Sequence, residues 1–343
     1  MSLQYKYSVV KDSDGNSCIS IDKIYNFVHK VVIPDTIKEI PVKIIADSAT
    51  ESGSRLKSIK LPDSVTYIGK EAFFECQNLT NINFPKNLKL IGAGAFERCG
   101  SLENITLNDE LECIEENAFY ASGINQVKIP DSVTDIKASA FSHSELFSVE
   151  FGKNVKFIDE TAFSYCRNIE SISLPKSLQY LDDSAFDNCP NLKTVLIDSD
   201  ISRSLVFDSL FYSCPSLEKI ITSKDNKRLI SINNVLYDKN RNTLVRFPPN
   251  GSVANLKIPE WVDRFSSCSF EGNKNLKRID IPNEKIKYIE LSGLFPNKSL
   301  IVNCIKDSDV ETWAKEGCLK ITYEKTLNTF LNEVSDESRT TSI

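Results

Sequence analysis

The chain has 343 residues, 41% of them hydrophobic and 26% charged, which is ample material for a core and excludes a disordered polymer. Its net charge of −6 has the wrong sign for a protein that neutralises nucleic-acid phosphates, and no apolar run approaches the roughly 18 residues of a membrane span. Ten cysteines at this length are too few for a disulfide-stapled scaffold.

Residues 1–60 read as an N-terminal cap with a degenerate first repeat, which opens at Ile33-Pro34-Asp35-Thr36-Ile37 and closes at Leu56-Lys57-Ser58-Ile59. Residues 61–221 are regular repeats. Three copies, LPDSVTYIGKEAFFECQNLTNIN, FPKNLKLIGAGAFERCGSLENIT and LPKSLQYLDDSAFDNCPNLKTVL, begin at 61, 84 and 174. The Ala-Phe pair recurs at Ala72-Phe73, Ala95-Phe96, Ala118-Phe119, Ala140-Phe141, Ala162-Phe163 and Ala185-Phe186, in steps of 22 or 23 residues. Weaker copies stand at Leu210-Phe211 and Ser269-Phe270. A unit this short cannot bury its own apolar set, so each coil must stack on the next. The alternation in Leu79 to Phe84 suits a strand with Ile82 and Phe84 inward and Asn81 and Asn83 outward. Val65 and Ile68 mark the opposite side of the coil, and the Phe rings are expected to form a spine. Pro62, Pro85, Pro130, Pro175, Pro259 and Pro282 sit where the chain turns after the strand.

Residues 222–257 interrupt the ladder with three short apolar runs separated by polar turns, read as hairpin strands. The cluster Pro248-Pro249-Asn250-Gly251 is expected to return the chain to the solenoid at Ile258-Pro259. The insertion either hinges the array or binds on its own. Further repeats follow at 258–303, giving about nine coils. Residues 304–325 read as a C-terminal cap with a helix from Asp307 to Gly317, and 326–343 as a flexible tail. Its Thr-x-Ile terminus resembles a ligand for a PDZ domain.

This pattern resembles the BspA-type leucine-rich repeat family over residues 5–324. The entry Tyr5-Lys6-Tyr7-Ser8-Val9 with Val31-Val32-Ile33-Pro34 and Pro41-Val42, the interruption Ser231 to Lys239 and the closing Ala314-Lys315-Glu316-Gly317 also resemble it. The resemblance implies an α/β repeat: a right-handed leucine-rich-repeat solenoid of 22- to 23-residue coils with a parallel sheet on one face and short strands and helical turns elsewhere. It implies a non-enzymatic protein-interaction module on a cell surface or secreted, with adhesion to a host or matrix protein as its use. The start Met1-Ser2-Leu3-Gln4-Tyr5-Lys6 has no apolar export segment, so the chain as written reads as cytoplasmic. An intracellular scaffold or regulator is therefore the alternative.

The residues themselves point away from catalysis. Only two histidines exist, His29 and His143, about five coils apart, and no phosphate loop, His-Glu-x-x-His or Cys-x-x-Cys occurs. No cofactor and no metal site is expected. Cys76, Cys99, Cys166, Cys189 and Cys214 fall three residues after the Phe, a slot that holds Ser122, Ser144 and Asn273 elsewhere. The slot calls for a small polar group that bonds nearby backbone. Asn78, Asn104, Asn250 and Asn297 head Asn-x-Ser/Thr triplets; Asn78 and Asn104 are read as equivalent turn residues. Partner contacts are expected at the outward strand positions: Asn81 and Asn83, Asn104 and Thr106, Gln126 and Lys128, Ser148 and Glu150, Ser171 and Ser173, Thr194 and Leu196, Lys219 and Ile221. Leu196 and Ile221 would be the apolar centre, unless the hairpin covers them.

Overall fold

A computed structural model describes residues 4–25, 28–202, 207–282, 286 and 299–323. The tail at 326–343, the Asn297 triplet and much of the copy at 281–303 lie outside the described residues. The chain is a β-solenoid, and the stack runs to about 12 coils, more than the nine expected, because degenerate coils pair at both ends.

Two sides of the coil carry parallel sheets, where the sequence suggested one. The longest grows from the second apolar position: Ile40–Ile45, Tyr67–Ile68, Leu90–Ile91, Cys113–Ile114, Asp135–Ile136, Phe157–Ile158 and Tyr180–Leu181 pair in turn. Ser17–Ile24 continues it at the N-terminal end, and Tyr5–Lys11 closes it antiparallel. Ile68, Ile91, Ile114, Ile136 and Ile158 are thereby held in register and fully buried.

The sheet foreseen on the other side comes in pieces. Lys30–Val32, Ser58–Lys60 and Asn81–Ile82 form one, Gln126–Lys128 and Ser148–Glu150 a second, and Ser171–Leu174, Thr194–Ile197 and Lys219–Thr222 a third. Two of the breaks have a cause in chain length. Phe119 and Phe141 are one residue nearer to their strands than Phe96 and Phe163 are to theirs. A short coil pairs with a short one, and only the single bridge Asn104↔Gln126 joins short to long. A fourth sheet, Asn255–Lys257, Arg278–Ile281, Ile301–Cys304 and Lys320–Tyr323, continues this side toward the C-terminus.

The third side holds the Ala-Phe segment, and here the expected helical turns are absent. Its amides alternate in direction. Those of Glu71, Phe73 and Glu75 donate to Ala93, Ala95 and Glu97 of the next coil at 2.8 to 2.9 Å, while those of Ala72, Phe74 and Cys76 donate back to Gly69, Glu71 and Phe73. Glu71 and Glu75 reach this arrangement with positive φ (54° for both), as do Asn117 and Ala121, Ser139 and His143, and Thr161 and Tyr165. The left-handed backbone costs about 1 kcal/mol or more per residue and breaks the i→i−4 pattern that a helix needs. Half of the donors are released to join the coils instead. The only α-helix among the described residues is Asp309–Glu316, whose Ser308 N-cap accepts from the Glu311 amide at 3.2 Å.

Behind this ladder the Phe spine forms. Phe73, Phe96, Phe119, Phe141, Phe163 and Phe186 are fully buried, and successive rings stack at 5.2 to 5.3 Å, within 11° of parallel. Regularity is lost at Phe211, tilted 39° from Phe186 at 6.2 Å. The insertion is an antiparallel meander of Leu229–Ile232, Val235–Asp238 and Thr243–Arg246. Its last strand re-enters the stack earlier than the Ile258 expected from the turn cluster. Thr243 and Leu244 pair parallel with Arg264 and Phe265, Phe247 stacks on Phe270 at 5.7 Å, and the Phe247 amide donates to Ser269 as Phe73 does to Ala95. Arg246 thus occupies the slot that alanine fills in the regular repeats and is fully buried.

All ten cysteines are thiols. In the slot after the Phe, the Cys99, Cys166, Cys189 and Cys214 thiols donate to the carbonyls of Phe73, Phe141, Phe163 and Phe186 one coil back, at 3.2 to 3.3 Å. Ser144 donates to its own Phe141 carbonyl at 2.6 Å. Burial pushes the Cys166 thiol up to about 12 and Cys99 well above its usual value, so neither supplies a thiolate nucleophile at neutral pH. Replacing Cys99 by Val removes the donor at similar volume and should cost about 1 kcal/mol; Cys99→Ser should lose less, as urea-unfolding midpoints will report.

Candidate functional site

The outward strand positions are placed side by side by the parallel registers. Ser171, Thr194 and Lys219 form one row and Ser173, Leu196 and Ile221 the next; Gln126 pairs with Ser148 and Lys128 with Glu150. Asn81, Asn83, Asn104, Thr106, Gln126, Lys128, Ser148, Glu150, Ser171, Ser173, Lys219 and Ile221 are exposed, while Thr194 and Leu196 are half-buried. Such a row of side chains, each coil about 4.8 Å from the next, is a rigid polar surface whose residues can be read by a partner without reordering the backbone.

Three positions are already engaged within the fold. The Asn83 amide accepts from the Leu61 N–H and donates to the Leu61 carbonyl, both at 2.8 Å, completing the ladder where strand pairing has stopped. Lys128 and Glu150 form an exposed ion pair at 3.2 Å, worth little in water. Asn78 lies in a turn and donates to the Ser54 carbonyl at 3.2 Å, whereas Asn104 aligns with Gln126 on the strand side, so the two are not equivalent.

The meander leaves Ile221 uncovered. Ser231 bonds to the edge of the neighbouring strand, its amide donating to the Thr222 hydroxyl at 2.9 Å and its hydroxyl to the Ile220 carbonyl. The hairpin therefore extends the sheet edgewise, and Ile221 keeps 41% of its surface in water. An additional exposed aromatic, Phe147, stands at the start of Ser148–Glu150 with 51% exposure. Sequence reasoning missed it. Reading the repeat column would have found it, because the equivalent slot holds Thr80, Asn125, Glu170, Lys193 and Glu218.

The turn side has its own features. His143 stacks on Tyr165 at 4.3 Å and lies 5.2 Å from the Tyr120 ring, and burial, with Arg167 adding to it, lowers its pKa. His29 is exposed in the N-terminal cap. Among the described residues no cluster of His, Cys, Asp or Glu is arranged to hold a metal ion, and no helix is long and apolar enough to cross a membrane.

Asp187, in the turn after Phe186, has its pKa raised to about 7 by burial and by Asp183 and Asp182, against the Tyr212 amide and Arg246. Its Oδ1 has no hydrogen-bond partner. An acid whose folded pKa is raised binds more protons when folded, so its ionisation destabilises the fold progressively between about pH 4 and 7. Asp187→Asn should therefore raise the melting temperature more at pH 8 than at pH 5. Equal shifts at both would contradict this reading.

A family profile for the BspA type leucine rich repeat region matches residues 43–169, 144–253 and 246–333, with 6 copies. Among solved structures, a leucine-rich repeat protein from Bacteroides ovatus superposes with a TM-score of 0.59 at 22% identity, covering 94% of this chain and 76% of its own. A leucine rich cell surface protein from Faecalibacterium prausnitzii gives 0.59 at 21% identity and covers 94% of each chain. At these identities the likeness concerns the fold. No curated protein matches the sequence significantly.

Proposed function

Since the chain belongs to the BspA-type leucine-rich repeat family, a family of protein-interaction repeats that is typically non-catalytic, we propose that it acts on a cell surface by holding a host or matrix protein against the outward strand positions. The observation that carries this reading is the in-register row Ser173, Leu196 and Ile221 beside Ser171, Thr194 and Lys219, a wet face with one apolar centre at its most regular sheet. Desolvated apolar anchors inside a polar rim are what dominate binding energy at protein interfaces. The description of the Faecalibacterium prausnitzii neighbour as a cell surface protein supports the location.

Protease shaving of intact source cells tests the location: repeat peptides released alongside those of a known surface protein support it, and protection of the chain while that protein is cut overturns it. An intracellular scaffold is the second reading, favoured by ten cysteines that are all thiols. Protection from shaving would turn the search to lysate partners.

A further inference from the structure

A cavity of about 270 Å³ opens where the meander rejoins the coils, lined by Phe207, Asp208, Asp238, Arg241, Thr243, Val245, Arg264, Phe265, Ser266 and Ser267. It exists because the chain departs from the repeat. The strand Thr243–Arg246 pairs parallel with Arg264–Phe265 on one side and antiparallel with Val235–Asp238 on the other, so the local path differs from that of a regular coil, which has parallel neighbours only. Its floor is apolar, made by buried Phe207, Val245 and Phe265. Its mouth carries two exposed guanidinium groups, those of Arg241 and Arg264.

The wall is fixed rather than adaptable. Arg228 and Asp238 form a buried ion pair, with Nε and Nη2 at 2.9 and 2.8 Å from the same carboxylate oxygen. The Arg228 guanidinium also donates to the Ile201 carbonyl at 2.7 Å and lies 4.9 Å over the Phe207 ring. Ser266 donates to the Phe207 carbonyl at 2.6 Å, which ties the backbone of that residue to the coil after the insertion.

Charge decides what fits. The negative charge of Asp238 is neutralised by Arg228, and its Oδ1 accepts from the Asn240 amide at 3.0 Å. The lining then presents Arg241 and Arg264 at its mouth, with Asp208 also in the lining and Asp263 loosely paired to Arg264 at 3.8 Å outside it. Guanidinium groups hold carboxylates by directed, charge-assisted hydrogen bonds, and an enclosed aromatic floor takes a flat apolar body. We infer that this cavity binds a carboxylate carried on an aromatic or branched apolar body, either a free acid or the C-terminal residue of a peptide.

The test is calorimetric titration of the whole chain with benzoate, 3-methylbutanoate and an acetylated dipeptide ending in Phe, each beside its neutral amide. The expected result is saturable one-to-one binding of at least one acid, at least tenfold weaker for its amide, and at least tenfold weaker for Arg241→Gln and Arg264→Gln. Both arginines are exposed, so these variants should retain the wild-type melting temperature. Preference for the dipeptide would identify a peptide terminus as the source, and preference for the small acids a free metabolite. Absence of saturable binding by all three acids, or equal binding of acid and amide, would overturn the inference, as would unchanged affinity in both variants.

Discussion

Phe141→Ala is expected to destabilise the protein by about 3 to 5 kcal/mol, the range for truncating a fully buried phenylalanine. The ring has no exposed surface and stands between Phe119 and Phe163, each 5.3 Å away and within 11° of parallel. Backbone on either side cannot close the gap, because the amides of Phe119 and Phe141 are tied to Ala140 and Ala162 by coil-to-coil bonds of 2.8 Å. Truncation therefore leaves a void and ends two ring contacts. Phe147→Ala is the control, since that ring is 51% exposed and its loss should cost less than about 0.5 kcal/mol. Equal effects in chemical unfolding would mean that the spine contributes nothing special.

The second large effect is expected at Arg246, where alanine would restore the residue the repeat carries elsewhere. Here the consensus residue should be worse, by about 3 kcal/mol or more. The Arg246 guanidinium donates to the carbonyls of Phe211 and Cys268 and to Glu271 Oε2, the first and last at 3.0 and 2.8 Å. Glu271 in turn accepts from the Ser213 amide at 3.3 Å. One buried cation thus joins the irregular coil before the insertion to the coil after it. Removing it leaves Glu271 and two carbonyls without that donor in a partly dry site. A double-mutant cycle with Glu271→Gln should show coupling between the two positions. Additive losses would mean that they act independently.

The repeat was legible in the sequence because it is written in large apolar residues at fixed intervals. Ala72-Phe73 and its successors mark the spine directly, and the alternation of Asn81, Ile82 and Asn83 marks which side chains face outward. What was hidden depends on backbone and on partners far along the chain. Nothing in the residue types of Glu71 or Glu75 announces positive φ, so the sequence of this side reads as helical turns. In the sheet built on Ile68 and Ile91 the strands of the regular repeats are only two residues long, too short to show alternation. Its existence rests on coil stacking alone.

The hairpin strands of the insertion are as expected, but the point where the chain rejoins the stack was hidden for a related reason. Leu244 to Phe247 has the apolar density of a hairpin strand, and it does pair antiparallel on one edge, but its other edge pairs parallel with Arg264–Phe265. Only the stacking of Phe247 on Phe270 reveals its place in the spine. An arginine in a slot that the regular repeats fill with alanine gave no sign of being core, because its burial depends on Phe211, Cys268 and Glu271. The outward rows follow from the repeat register, whereas Phe147 stands one position before Ser148–Glu150, outside the alternation that marks those rows.

The most direct test of partner binding on the strand side is site-specific photo-crosslinking in host-cell and matrix extract. A photoreactive residue at Ile221 is compared with one at Tyr165 on the turn side. The proposed binding mode predicts a discrete crosslinked protein from Ile221, little or none from Tyr165, and loss of the product when Leu196 is replaced by Asp. Equal crosslinking from both positions, or a product from Tyr165 alone, would contradict it.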